Sequence, residues 1–183
     1  MSRTSMDMTR GSLKKQILFF SIPLMLSNLL QVLFNMSDIA VIGQFAGAMS
    51  LGAVGSTTTL ISMYTGFLIG LSGGINVLTA LYIGARNRKS VSETVHSAFL
   101  VSLAVGLILL ILGVSTSRGV LVLLNTKEEL IDKAALYIRI YFLGIPALAL
   151  YNFGNAVFSA AGDTGRPLRY LFLSGIVNVI LNL

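Results

Sequence analysis

Apolar positions in this chain come in helix-length runs rather than in alternation. Five runs stand out, at 17–43, 51–85, 91–116, 131–161 and 167–183, joined by short polar or glycine-bearing turns. The first four exceed the roughly 20 residues that a helix needs to cross a hydrocarbon core, and the fifth breaks off at about 17. A membrane barrel would alternate apolar and polar residues with period two, which these runs do not. Lipid offers the backbone no hydrogen-bond partner, so runs of this kind predict helices. The expected fold is an all-α, polytopic transmembrane helix bundle. It would hold an N-terminal segment, 1–16, then a transmembrane lobe, 17–183, with four complete spans and a truncated fifth. Because the fifth run ends without a polar anchor, the chain is expected to be a fragment.

Composition removes the soluble alternative. Of 183 residues, 55% are hydrophobic and 11% charged, with a mean hydropathy of +0.84. A soluble domain carries about a quarter charged residues. The net charge of +6 would suggest nucleic-acid binding in a soluble protein, but here the basic residues sit between apolar runs. Arg3, Arg10, Lys14 and Lys15 precede the first run, Arg86, Arg88 and Lys89 follow the second, and Arg166 and Arg169 open the fifth. The intervening joints are uncharged (44–50) or mixed, with Arg118, Lys127 and Lys133 set against Glu128, Glu129 and Asp132. The positive-inside rule then predicts a cytoplasmic N-terminus in a multi-pass inner-membrane protein. Arg139 is read as a snorkelling interfacial residue. Cysteine is absent, which excludes disulfides, thiolate metal sites and a cysteine nucleophile. Metal-ligand clusters, dinucleotide fingerprints and phosphate-loop spacing are missing as well, so no cofactor or metal is expected.

The first run carries the most chemistry. Asn28, Gln31, Asn35 and Asp38 recur at intervals of three, four and three, which stacks them along one helix face near Ser21. Such a stripe predicts the lining of a wet cavity. An ionised carboxylate inside a span costs several kcal/mol unless it is hydrated, paired or protonated. Two readings of Asp38 stay open: a helix-end carboxylate fixed by hydrogen bonds near the interface, or a site that takes up and releases a proton as its surroundings change. Pro23 removes one backbone donor upstream and can kink the same helix.

In the second run Ser62, Gly66, Gly70 and Gly74 recur every four residues, a small-residue ridge expected to let another helix approach closely. Gly70-Leu71-Ser72-Gly73-Gly74 also fits the G-x-S-x-G pattern of serine hydrolases. The only histidine, His96, opens the next run, far from an evident triad. Asn152 and Asn155 in the fourth run, and Asn178 and Asn182 in the fifth, are further amides able to line a cavity or bond between helices. Gly162-Asp163-Thr164-Gly165-Arg166-Pro167 reads as the turn between those two runs.

Taken in order, these residues resemble the multidrug and toxic compound extrusion (MATE) transporters, especially bacterial members. The resemblance rests on Leu29-Leu30-Gln31-Val32-Leu33-Phe34-Asn35-Met36-Ser37-Asp38, Ala53-Val54-Gly55 and Gly84-Ala85-Arg86-Asn87. It continues through Tyr137-Ile138-Arg139-Ile140, Gly144-Ile145-Pro146, Gly162-Asp163-Thr164 with Pro167, and Asn178-Val179-Ile180-Leu181-Asn182. It implies twelve helices in two six-helix lobes, of which this chain holds most of one, so its partners would be the bilayer and a missing C-terminal lobe. It also implies no enzyme activity, but alternating-access export of cationic or amphipathic small molecules against H+ or Na+. Asp38 is similar to the family's coupling acid, Asn178 to its amide partner, and Asn182 stands where some members have a second carboxylate. Leu81 and Ser159 replace a Gln and a basic residue common among relatives. A lipid-linked oligosaccharide flippase of the same superfamily would need more basic residues in the spans, with Arg139 its one candidate. An intramembrane serine protease at Ser72 is the rival from another class.

Overall fold

A computed structural model describes residues 12–182, with Leu13 and Asn182 described by backbone alone. Arg3 and Arg10 of the expected cytoplasmic segment, and Leu183, lie outside the described residues. Of the described residues 92% are helical and none is in a strand. The helices are α1 (Leu13–Val41), α2 (Gly47–Gly84), α3 (Arg88–Leu123), α4 (Glu128–Leu143), α5 (Ile145–Ala160) and α6 (Gly165–Asn182), with a π-helical turn, Ile42–Ala46, after α1.

The helices end where local chemistry ends them. At Arg86 (φ 55°), Asn125 (φ 53°) and Gly162 (φ 78°) the backbone turns left-handed. Each carries the same pair of closing bonds. After α5, the amide of Gly162 donates to the Ser159 carbonyl at 3.0 Å and that of Asp163 to Phe158 at 2.9 Å. This is the Schellman closure, which satisfies orphan carbonyls of the last turn. Asn87 then caps α3 by accepting the Ser90 amide at 3.1 Å. Asp163 does the same for α6, accepting the Arg166 amide at 3.2 Å and pairing with the Arg166 guanidinium at 2.9 Å.

The apolar stretch Lys14–Gly84 covers 71 residues. A straight helix of that length would span about 107 Å, against a hydrocarbon core of about 30 Å. Gly47, at φ 77° and ψ 172°, breaks it. A Leu51 methyl carbon lies 3.7 Å from where a β-carbon on Gly43 would sit. Eight residues of straight helix would separate these positions by about 12 Å, so the chain doubles back here. The expected joint at 44–50 is thus a π-turn and one left-handed glycine rather than a loop.

Internal contacts divide the described chain into two compact units. One holds Ile39–Ser72 and Ser97–Phe153. Its centre is Leu60, Leu68, Leu121, Ala134, Ile138 and Phe142, with Tyr64 edge-on to Phe142 at 4.8 Å. Here α2 and α4 run parallel, since Gly52 meets Leu130 and Thr65 meets Tyr141 further along both helices. The helices α3 and α4–α5 run antiparallel, through Ser117 with Arg139, Gly113 with Phe142, Gly106 with Pro146, and Phe99 with Phe153. Within the expected run 131–161 the structure has two helices, bent by 47° at Gly144. Pro146, lacking an amide hydrogen, is what the sequence offered as the signal. The expected run 91–116 likewise extends to Leu123 as α3.

Small residues on α3 set this geometry. Its buried positions, Ala98, Ser102, Gly106, Leu109, Gly113, Ser117 and Leu121, follow at three and four along one face. A β-carbon on Gly106 would lie 2.8 Å from the Pro146 α-carbon, and one on Gly113 would fall inside the Phe142 ring. Lipid tails match apolar side chains in polarity, so such close fit is the main attraction between the helices. The expected ridge on α2 meets no other helix among the described residues. Ser62, Gly66, Gly70 and Gly74 are exposed, and beyond the local helix backbone no described residue lies within 4 Å of a β-carbon built on any of the three glycines. Buried Ala53, Thr57, Leu60 and Leu68 make the contacts instead. A small-residue spacing permits close approach but supplies no partner.

The other unit holds the part of α1 ending at Asp38, then Gly73–His96, and the chain from Gly154. In it α1 and α6 run parallel: Thr164 Oγ1 donates to the Phe20 carbonyl at 3.4 Å, and further along both helices Phe34 meets Gly175. Asn76 ties α2 to α5 by donating to the Ala156 carbonyl at 2.8 Å. Charge is uneven. This unit carries Lys14, Lys15, Arg86, Arg88, Lys89, Arg166 and Arg169, opposed by Asp38, Glu93 and Asp163.

Two outcomes follow for the purified chain. Gly113→Leu, forced against Phe142, should cost about 3 kcal/mol, whereas Gly66→Leu should change stability by less than about 0.5 kcal/mol. Thermal unfolding in detergent followed by circular dichroism separates them, and equal shifts would contradict the assigned contact faces. Asp163→Ala should cost about 2 kcal/mol by removing the α6 cap and the partly shielded ion pair, while Asp163→Asn, which keeps the cap acceptor, should lose less.

Candidate functional site

Helix α1 presents two different flanks. Ser27 is buried, and Leu30, Phe34 and Asp38 are partly buried, so these four mark the face turned inward at intervals of three and four. At roughly 100° per residue, Asn28, Gln31 and Asn35 lie along one edge of that face and Leu26, Leu29 and Leu33 on the opposite side. The three amides are exposed. Asp38 sits where the inward face and the amide edge meet. Ser27, inside, donates to the Pro23 carbonyl at 2.9 Å, so this hydroxyl occupies the carbonyl of the residue that threatens the helix.

The Phe34–Gly175 contact fixes the register between α1 and α6. A β-carbon on Gly175 would overlap the Phe34 ring, so only glycine admits that approach. One helical turn onward in the same direction come Asp38 on α1 and Asn178 on α6. Both are partly buried, and both have an interaction partner. The parallel register therefore sets the carboxylate and the amide at one level. Asn182 lies one further turn along α6, and its side chain lies outside those described.

The other predicted residues are placed less centrally. Asn152 donates to the Leu148 carbonyl at 2.9 Å, and Asn155 accepts from Ser159 at 3.5 Å. These bonds run along α5 and direct neither amide toward another helix. Arg139 is exposed and donates from Nε to Ser117 Oγ at 3.2 Å, which docks α4 on α3. Its neighbour Arg118 pairs with Asp132 at 3.1 Å in the open. The His96 Nδ1 lies 2.8 Å from the Ser92 carbonyl of its own helix. No group of His, Cys, Asp or Glu able to hold a metal ion occurs among the described residues.

Sequence reading missed two α2 positions. Asn76, bonded to Ala156, is the only asparagine in α2, and an amide in an apolar span is itself a signal of an interhelical bond. Thr79 is fully buried with its hydroxyl unpartnered among the described residues. Nothing in its sequence context marks it out.

Comparison with known proteins agrees with this architecture. The MatE family model matches residues 23–183. Probable multidrug resistance protein YpnP of Bacillus subtilis is 32% identical over 175 residues, covering 96% of this chain and 39% of that protein. The FAD transporter of Shewanella oneidensis is 25% identical over 166 residues, covering 91% of this chain and 36% of that protein. A solved structure of a multidrug resistance MATE family transporter in its outward-facing conformation superposes with a TM-score of 0.85 at 26% identity, over 94% of this chain and 38% of its own. A Pyrococcus furiosus transporter of the MOP superfamily, described as having a binding pocket of reverse polarity, gives 0.88 at the same identity and the same coverage of both chains. The chain thus spans about two fifths of the length of the curated relatives it matches. With the match running almost end to end and the helices superposing, the chain belongs to the MatE family, whose members are transporters and not enzymes.

Proposed function

We propose that this chain is most of the N-terminal lobe of a cation-coupled antiporter that exports cationic or amphipathic small molecules by alternating access, with H+ or Na+ moving inward. The observation that carries the reading is Asp38, an acid inside an apolar helix, level with Asn178 and edged by Asn28, Gln31 and Asn35. An anionic site with amide neighbours holds a cation by charge and oxygen donors. Occupancy by the cation neutralises the carboxylate and draws α1 toward α6 beyond the Phe34–Gly175 contact. Release restores the charge and favours the hydrated, open arrangement. A substrate carrying positive charge competes for the same carboxylate, which couples the two flows.

The relatives support export: several are named multidrug resistance or export proteins. The concentration of Lys and Arg in the unit holding the start of α1 supports a cytoplasmic N-terminus and an inner-membrane location. Alternating access requires a second lobe rocking against this one, so the 183-residue chain alone should not export.

The test is gradient-driven dye efflux from proteoliposomes containing the full-length transporter that carries this chain. Asp38→Asn should lower efflux at least tenfold while the protein still folds and inserts, and Asn178→Leu should reduce it less. Undiminished efflux and ion uptake in Asp38→Asn would refute the coupling role.

A further inference from the structure

A groove of about 590 Å³ runs between α1 and α6, lined by Leu26, Leu30, Leu168, Arg169, Phe172 and Leu173. Two contacts bound it. Thr164 bonds the Phe20 carbonyl on one side, and Phe34 meets Gly175 on the other. Along α1 these lie 14 residues apart, about 21 Å, close to the depth of one leaflet with its interface. Between them the helices part, because leucines and a phenylalanine stand where glycine sits at the Gly175 contact.

The groove is on the flank of α1 away from the Asn28, Gln31 and Asn35 edge, beside exposed Leu29 and Leu33. It therefore faces hydrocarbon rather than a wet cavity. All its lining is apolar except Arg169, in the second turn of α6. Arg166 is already engaged by Asp163 and lies over the Phe158 ring at 5.7 Å. Arg169 is exposed and makes no hydrogen bond or ion pair among the described residues. An unneutralised guanidinium at the α6 N-terminal end, above an apolar channel one leaflet long, matches an amphiphile with an anionic head and an acyl chain. We propose that this groove is a binding site for an anionic phospholipid, with the phosphate on Arg169 and one acyl chain along Leu26, Leu30, Phe172 and Leu173. The inference is independent of the export mechanism. Surplus positive charge in this unit, with Lys14 and Lys15 at the start of α1, adds to the attraction for anionic headgroups.

The chain in nanodiscs of phosphatidylcholine, doped with phosphatidylglycerol bearing a photoreactive acyl chain, tests this by mass-spectrometric mapping of adducts. Adducts should gather around Leu26, Leu30 and Phe172. Unlabelled phosphatidylglycerol should compete, whereas phosphatidylcholine and inorganic phosphate should not. Arg169→Gln should weaken competition about fivefold, the loss of one lipid-facing cation, and Arg169→Lys should restore most of it. Leu30→Trp, which fills the groove, should abolish the local adducts while helicity is retained. Adducts spread evenly over the exposed faces of α2 and α3, or competition indifferent to headgroup charge or to Arg169, would overturn the proposal. So would displacement by inorganic phosphate, or loss of the adducts in the full-length protein, where a further segment would then be the occupant.

Discussion

Between Lys15 and Arg86 the chain carries one charged residue, Asp38. A carboxylate in such a stretch costs several kcal/mol unless water, a cation or hydrogen-bond donors attend it. Amides stand near its level on two helices. Asn178 comes level through the parallel pairing with α6, and Asn28, Gln31 and Asn35 follow the edge that Asp38 borders. The opposite flank carries only hydrocarbon, so one helix separates a polar side from an apolar one.

What holds that arrangement is steric rather than electrostatic. Gly175 lets Phe34 reach the α6 backbone, and Gly106 and Gly113 let α3 receive Pro146 and Phe142. In lipid, where apolar surface gains little by hiding, these close contacts decide register. The register then decides which polar groups share a level. Substituting Gly175 would move Asn178 relative to Asp38 without touching either.

Much of the fold was legible in the amino acids because the bilayer demands long uncharged helices, and length and charge are visible without coordinates. The bend at Gly144 was not read, although Pro146 marks it, because hydropathy over 131–161 is unbroken and a bend leaves hydropathy unchanged. The ridge of Ser62, Gly66, Gly70 and Gly74 has no helix against it among the described residues, because spacing reports which approach is permitted while the partner depends on tertiary register. Within the candidate site, Asp38 and its stripe of amides were legible from periodicity on one helix. That Asp38 and Asn178 stand at one level was not legible from spacing, since residues 140 apart have no fixed relation until Phe34 and Gly175 meet. Asn152 and Asn155, equally polar on paper, bond along their own helix.

On the proposed mechanism the amide edge beside Asp38 meets water inside the membrane while the other flank of α1 meets lipid. The absence of cysteine makes this measurable by single-cysteine labelling with a charged, membrane-impermeant thiol reagent in native membranes. Modification should be rapid at Asn28→Cys, Gln31→Cys and Asn35→Cys, and almost absent at Leu29→Cys and Leu33→Cys. Equal reactivity on both flanks, or silence along the amide edge, would contradict it.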